Sequence, residues 1–76
     1  MPKYFFNVHG TRPLIDGEGE ELADNEVAWR EATIIAGEIF REIDGALRPG
    51  DVWTLEVTDE NKKSVYFIDI KTREAN

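Results

Sequence analysis

Three stretches of the chain alternate apolar and polar residues with a period of two, which is the spacing of a β-strand with one buried face. They span residues 3–9, 52–59 and 64–70 and are rich in aromatic and β-branched side chains, as strands usually are. The positions predicted to face a core are Tyr4, Phe6, Val8, Trp53, Leu55, Val57, Tyr66, Ile68 and Ile70.

Between the first and second of these strands lies a segment with the period of an amphipathic helix. Asp24 precedes it and is a good N-cap, because its carboxylate can accept hydrogen bonds from the first free amides of a helix. The helix is predicted over about residues 24–46, and we expect Gly45 or the turn at 48–51 to end it. Its apolar stripe consists of Ala28, Trp29, Ala32, Ile35, Ala36, Ile39, Phe40, Ile43, Ala46 and Leu47.

The chain between the first strand and the helix is predicted to form a short edge strand and then a loop. Residues 14–16 can form at most a short strand, and Pro13, which lacks an amide hydrogen, confines that strand to a sheet edge. Residues 16–21 (DGEGEE) contain two glycines, four carboxylates and no apolar side chain, which predicts a solvated loop. A polar hairpin loop is predicted at 60–63.

These elements predict a single small α+β domain over residues 1–76, with the element order β-β-α-β-β. When strands 1 and 3 are neighbours, every pairing is antiparallel and the helix crosses one face of the sheet in a right-handed connection. We therefore expect a two-layer sandwich, with one helix (about 24–46) packed on a three- to four-stranded antiparallel sheet. The expected strand order is 2-1-3-4.

One helix covers only one face of such a sheet, and the other face also carries apolar side chains. Phe5, Val65 and Phe67 alternate onto that uncovered face, and Asp69 beside them indicates that it is accessible to solvent. A patch of exposed apolar side chains indicates a binding site. We therefore predict a partner-binding surface at Phe5, Val65 and Phe67, the alternative being that these residues lie at sheet edges under the C-terminal tail.

Composition restricts the kind of partner. Sixteen acidic and nine basic residues give a net charge of −7, which repels nucleic acid and anionic membranes, so a protein partner is favoured. Aromatic rings on an open sheet can also stack RNA bases, but such platforms are usually surrounded by basic residues. The chain has no cysteine, no secretion signal at its start and no apolar run of membrane-spanning length, which predicts a cytoplasmic protein.

The residues that most catalytic sites need are scarce. His9 and Ser64 are the single histidine and the single serine, and no pattern in the sequence joins them. The acidic loop at 16–21 resembles a calcium-ligand run, yet Glu21 stands where the sixth-position glycine belongs and Val27 replaces the terminal glutamate. Glycine-rich phosphate-binding motifs are missing from the sequence. We expect no enzyme activity, no cofactor and no metal site.

Several short motifs resemble an uncharacterised family of short bacterial proteins that open with a Pro-Arg-Tyr-Phe-Phe type stretch. They are PKYFFNV at 2–8, DGEG at 16–19 followed by Glu21-Leu22, Ala28 with Arg30-Glu31-Ala32, and VTDE at 57–60. The family is a domain of unknown function, so the resemblance implies no catalytic residues. Residues 3–40 are also similar in order to the N-terminal domain of HicB-type antitoxins, although the expected PDLPG-type segment is missing.

Three functions remain open at this point. The first is a non-enzymatic protein-interaction module, including a homodimer, that uses the uncovered sheet face. The second is a HicB-like antitoxin or regulatory subunit that attracts a basic protein partner through Glu18, Glu20 and Glu21. The third is an enzyme that uses His9 with a carboxylate, which would require a concave pocket around His9.

Overall fold

The computed structural model describes residues 1–10, 13–43 and 48–75. These residues form four strands and one helix. The elements are β1 (Lys3–His9), β2 (Glu20–Glu21), α1 (Asn25–Ile43), β3 (Val52–Asp59) and β4 (Ser64–Lys71).

All four strands belong to one antiparallel sheet in the order β2-β1-β3-β4. The register aligns the predicted core positions across the sheet: Phe6 pairs with Val57, and Leu55 pairs with Ile68. The α+β fold, with one helix packed on a four-stranded antiparallel sheet, is confirmed, and so is the predicted strand order.

The core lies between the sheet and the helix and is formed by alternate strand residues and small helix residues. Large side chains come from β1 and β3, whereas the helix contributes alanines that allow its backbone to approach the sheet closely. Leu55 and Val57, in the central strand β3, are completely buried. The buried set is Tyr4, Phe6, Val8, Ala28, Ala32, Ala36, Trp53, Leu55 and Val57.

The helix begins where its sequence signals predict. The backbone amide of Val27 donates a hydrogen bond of 3.0 Å to Oδ1 of Asp24, as expected for an N-cap and the third helical residue. The Tyr4 hydroxyl donates to Oδ1 of Asn25 at 2.6 Å and so fixes the helix start over β1. The helix extends to Ile43, and the predicted end near 46 falls on residues 44–47, which lie outside the described residues.

The predicted apolar stripe is right for the three buried alanines and for Ile35 and Ile39, which pack against the core, and wrong for Phe40. Trp29 packs on Tyr66 of β4 with the ring centroids 5.1 Å apart and is still 37% exposed, and the Phe40 side chain is 56% exposed. Packing of the helix on the sheet is therefore tighter in its first turns than around Phe40.

The second strand is not where the sequence pattern predicts it. β2 consists of Glu20 and Glu21, which pair with Tyr4 and Lys3, while Leu14 makes only an isolated bridge to Val8. The reason is the Asp16 side chain, whose Oδ2 accepts the Phe6 amide at 3.2 Å and replaces a strand hydrogen bond at this edge. The segment predicted as a solvated loop is therefore docked against β1.

The hairpin between β3 and β4 forms as predicted. Oδ1 of Asp59 accepts the amides of Asn61 and Lys63, and Lys62 adopts a left-handed conformation with φ of 65°. Within the described ranges, no helix is long and apolar enough to cross a membrane.

Candidate partner-binding surface

The face of the sheet that points away from the helix, here called the open face, carries a mixture of aromatic, hydroxyl and charged side chains. The antiparallel register places them in cross-strand rows, for example Asn7, Glu56 and Phe67 in the central row. Residues on the open face are Phe5, Asn7, His9, Val52, Thr54, Glu56, Thr58, Ser64, Phe67, Asp69 and Lys71.

Phe67 is the open-face residue that most clearly has the character of a contact residue. Its side chain is 58% exposed, whereas the rings of Tyr4, Phe6 and Trp53 on the opposite face are buried. It lies on β4, the strand at one edge of the sheet, and pairs with Glu56 of β3. The sequence prediction placed Phe67 on an accessible face, and the structure agrees.

Phe5, on the same face, is half-buried rather than fully exposed, because the acidic loop covers part of its ring. Gly19 has a φ of +73°, and a Cβ atom at this position would lie 2.8 Å from Cε2 of Phe5. The loop is held there by Asp16, whose amide donates to Oδ1 of Asn7 at 2.9 Å. Phe5 therefore contributes less apolar surface to the open face than its position in the strand predicts.

Val65 does not lie where strict alternation predicts. The register of β3 with β4 shifts between Val57 and Thr58, so that Thr58 pairs with Ser64 and Val57 with Tyr66. Val65 is the extra residue of this bulge, is half-buried and packs against the core. A bulge places two consecutive residues opposite one residue and interrupts the alternation of faces, so Val65 leaves the open face.

A hydrogen-bonded chain of side chains connects three strands on the open face. Nε2 of His9 lies 2.9 Å from Oε1 of Glu56, and the Ser64 hydroxyl donates to Oε2 of the same carboxylate at 2.5 Å. The hydrogen bonds from Ser64 and His9 lower the pKa of the Glu56 carboxyl below its ordinary value of 4.5. Glu56 therefore stays ionised at neutral pH and holds β1 and β4 to β3.

This network differs from the arrangement of a nucleophilic catalytic site. Such a site needs a hydroxyl that donates to a base of sufficient pKa, with a third group that orients the base. Here Ser64 and His9 both contact Glu56, whose lowered pKa makes it a weaker base. Sequence reasoning missed the network, although alternation could have placed His9 and Glu56 on one face once strands 1 and 3 were taken as neighbours.

The acidic loop uses its leading carboxylate internally. Partial burial raises the pKa of Asp16, but hydrogen bonds from the amides of Gly19, Phe6 and Glu18 outweigh that effect and lower it overall. Among the described residues, no three acidic or histidine side chains are grouped so that they could hold a metal ion. The loop geometry is thus accounted for by its attachment to β1.

Polar contacts continue around Phe67. The Thr54 hydroxyl donates to Oδ1 of Asp69 at 2.8 Å, one row from Phe67 on the open face.

The helix carries a separate shallow depression, lined by Thr33, Ile34, Gly37, Glu38, Arg41 and Glu42. Ile34 is the one large apolar residue among those that line this depression.

The comparisons with known proteins give one match. The model of a family described as a domain of unknown function (DUF6894) matches residues 3–71. Neither a curated protein nor a solved structure matches the chain.

Proposed function

The chain belongs to the DUF6894 family, a domain of unknown function, and we propose that it acts as a non-enzymatic protein-interaction module. The contact surface is the part of the open face centred on Phe67. With no cysteine available for disulfides, the chain suits a reducing, cytoplasmic environment.

The observation that carries the proposal is the 58% exposure of Phe67 in an ordered strand. Burying a phenylalanine side chain stabilises a protein by about 1.5–3 kcal/mol, and an exposed ring forgoes much of that gain in the isolated chain. A partner that covers the ring recovers it. Aromatic side chains surrounded by polar residues are typical of the energetically dominant positions in protein interfaces.

The surroundings of Phe67 favour a protein over a nucleic acid. Glu56 and Asp69 share the open face with it, and the chain carries a net charge of −7. Phosphates would meet electrostatic repulsion at this surface, whereas a protein can present hydrogen-bond donors to the two carboxylates. The non-enzymatic assignment is supported by the use of both His9 and Ser64 as partners of one ionised carboxylate.

Site-specific photo-crosslinking tests this proposal in the cells that make the protein. A photoreactive phenylalanine analogue replaces Phe67 in one variant and Ile34 in a matched control, because Ile34 on the helix is similarly exposed, at 56%. We expect a discrete protein adduct from position 67 and little or none from position 34. Equal adducts from both positions, or no protein adduct from position 67, would overturn the proposal.

A further inference from the structure

The two edges of the sheet are very different. β2 forms one edge with two residues, both glutamates, whereas β4 forms the other with eight residues. Short, charged edge strands discourage pairing with another chain, and long edge strands with apolar side chains invite it. The bulge at Val65 disrupts the beginning of β4, so the part of that edge best suited to pairing starts at Phe67.

The backbone of β4 presents the hydrogen-bonding groups of alternate residues to the outside. The Thr72 amide donates to the Asp51 carbonyl at 3.2 Å, which directs the polar backbone groups of Thr72 inward. Because these groups alternate along an antiparallel strand, those of Ile70 and Ile68 also point toward β3. The groups of Phe67, Asp69 and Lys71 therefore point away from the sheet.

We propose that a second copy of this chain pairs with this edge, β4 against β4 in antiparallel orientation, with Ile70 opposite Ile70 of the second copy. The inference rests on the proposed function and names its partner. In this register Asp69 lies opposite Lys71 of the second copy, and the same pair recurs on the other side of the two-fold axis. The result is a continuous eight-stranded sheet.

Charge complementarity selects this register among its neighbours. A two-fold axis at residue 69 would place Asp69 opposite itself, and an axis at residue 71 would place Lys71 opposite itself, each a like-charge pair. An axis at Ile70 replaces both with two opposite-charge pairs. It also places Arg73, which is exposed, opposite Phe67 of the second copy, where a guanidinium can cover the exposed ring.

The pairing also accounts for the incomplete burial of the other face of β4. Tyr66, Ile68 and Ile70 pack on the core yet remain half-buried, while their neighbours in β3 are fully buried. A second copy would place its own strand and helix alongside these residues. Burial of both faces of β4 would then approach that of β3.

A charge swap tests the pairing and its register. Sedimentation velocity over a concentration series is run for the wild-type chain, for Lys71→Asp and for Asp69→Lys/Lys71→Asp. Both residues are exposed, and circular dichroism verifies that each variant is folded. We expect a wild-type dimer, a dissociation constant raised about tenfold by Lys71→Asp, since two attractive pairs become repulsive, and recovery of the dimer in the double variant.

The possible failures of the two proposals are distinguishable. A wild-type chain that stays monomeric at all concentrations overturns the pairing. A dimer whose dissociation constant is the same in the wild type, the single variant and the double variant overturns it as well. If the crosslinker at position 67 nevertheless captures a different protein, the proposed function stands without self-pairing. If position 67 yields no protein adduct in cells, the proposed function fails as well.

Discussion

At the scale of single residues, the loop at 16–19 shows how one glycine determines what the open face exposes. Gly19 has a left-handed φ of +73°, and a Cβ atom at this position would lie 2.8 Å from Cε2 of Phe5 and 3.0 Å from the Tyr4 carbonyl oxygen. A side chain here would clash with both and would also strain the backbone. Gly17, two residues earlier, has no heavy atom near the position of a Cβ. A side chain would therefore fit at position 17 but not at position 19.

Gly19→Ala is therefore expected to lower the free energy of unfolding by about 1–2 kcal/mol. Gly17→Ala is the matched control and is expected to change it by at most about 1 kcal/mol, in either direction. Urea unfolding of the two variants measures the difference. Equal effects at the two positions would contradict the close packing of the loop on Phe5.

At the scale of elements, the helix is held on the sheet by small buried residues, by the partly buried Ile35 and Ile39, and by contacts at its N-terminus. Its buried residues are the alanines Ala28, Ala32 and Ala36, which contribute little area each. The Asp24 cap and the hydrogen bond between Tyr4 and Asn25 fix where the helix starts. Burial and the nearby Asp24 carboxylate raise the pKa of the Tyr4 hydroxyl, which keeps that group protonated as a donor.

Asp24→Ala should lower the free energy of unfolding by about 1 kcal/mol, because the Val27 amide loses its acceptor. Asp24→Asn, which keeps a side-chain oxygen acceptor, is expected to stay within a few tenths of a kcal/mol of the wild type. Thermal unfolding followed by circular dichroism compares the two variants. The cap would be unimportant if alanine and asparagine behaved alike.

At the scale of the whole molecule, stability is expected to depend on pH through two carboxyl groups whose pKa values are shifted in opposite directions. The lowered pKa of Glu56 means that the unfolded chain binds its proton more readily, so this contribution is full above 4.5 and is lost as the pH falls. Glu31 behaves in the opposite way. Burial, with the nearby Glu20 and Glu38, raises its pKa above 4.5, so its ionisation destabilises the fold at neutral pH.

Glu56→Gln and Glu31→Gln should therefore change stability in opposite directions. At neutral pH the first variant is expected to be less stable than the wild type and the second more stable, and both differences should shrink once the pH is well below 4.5. Urea unfolding across a pH series measures both. Shifts of the same sign at neutral pH would contradict the surroundings that the structure gives these two carboxylates.

The elongated shape of the molecule limits the size of its core. It measures 47 × 19 × 19 Å, so most of its residues lie close to the surface. A chain of this length buries only about 60% of the surface that its unfolded form exposes. A total stability of about 4–11 kcal/mol is ordinary for this size, so each change predicted above is measurable.

Features that depend on neighbours along the chain could be read from the sequence alone. Alternation placed Tyr4, Phe6 and Val8 on one face of a strand, and the position of Asp24 before the periodic segment predicted the cap. The glycine-free hairpin at 60–63 was recognised from its polarity. These signals lie within a few residues of one another, which is the range over which side-chain periodicity and capping act.

The sequence by itself determined the class of fold, the core positions of β1 and β3 and the exposed position of Phe67. Only the tertiary structure decided that Glu20 and Glu21 form β2, that Val65 enters a bulge, and that His9 and Ser64 meet at Glu56. Each of these depends on the register between segments distant in the chain. That register is set by packing and hydrogen bonds that no local pattern encodes.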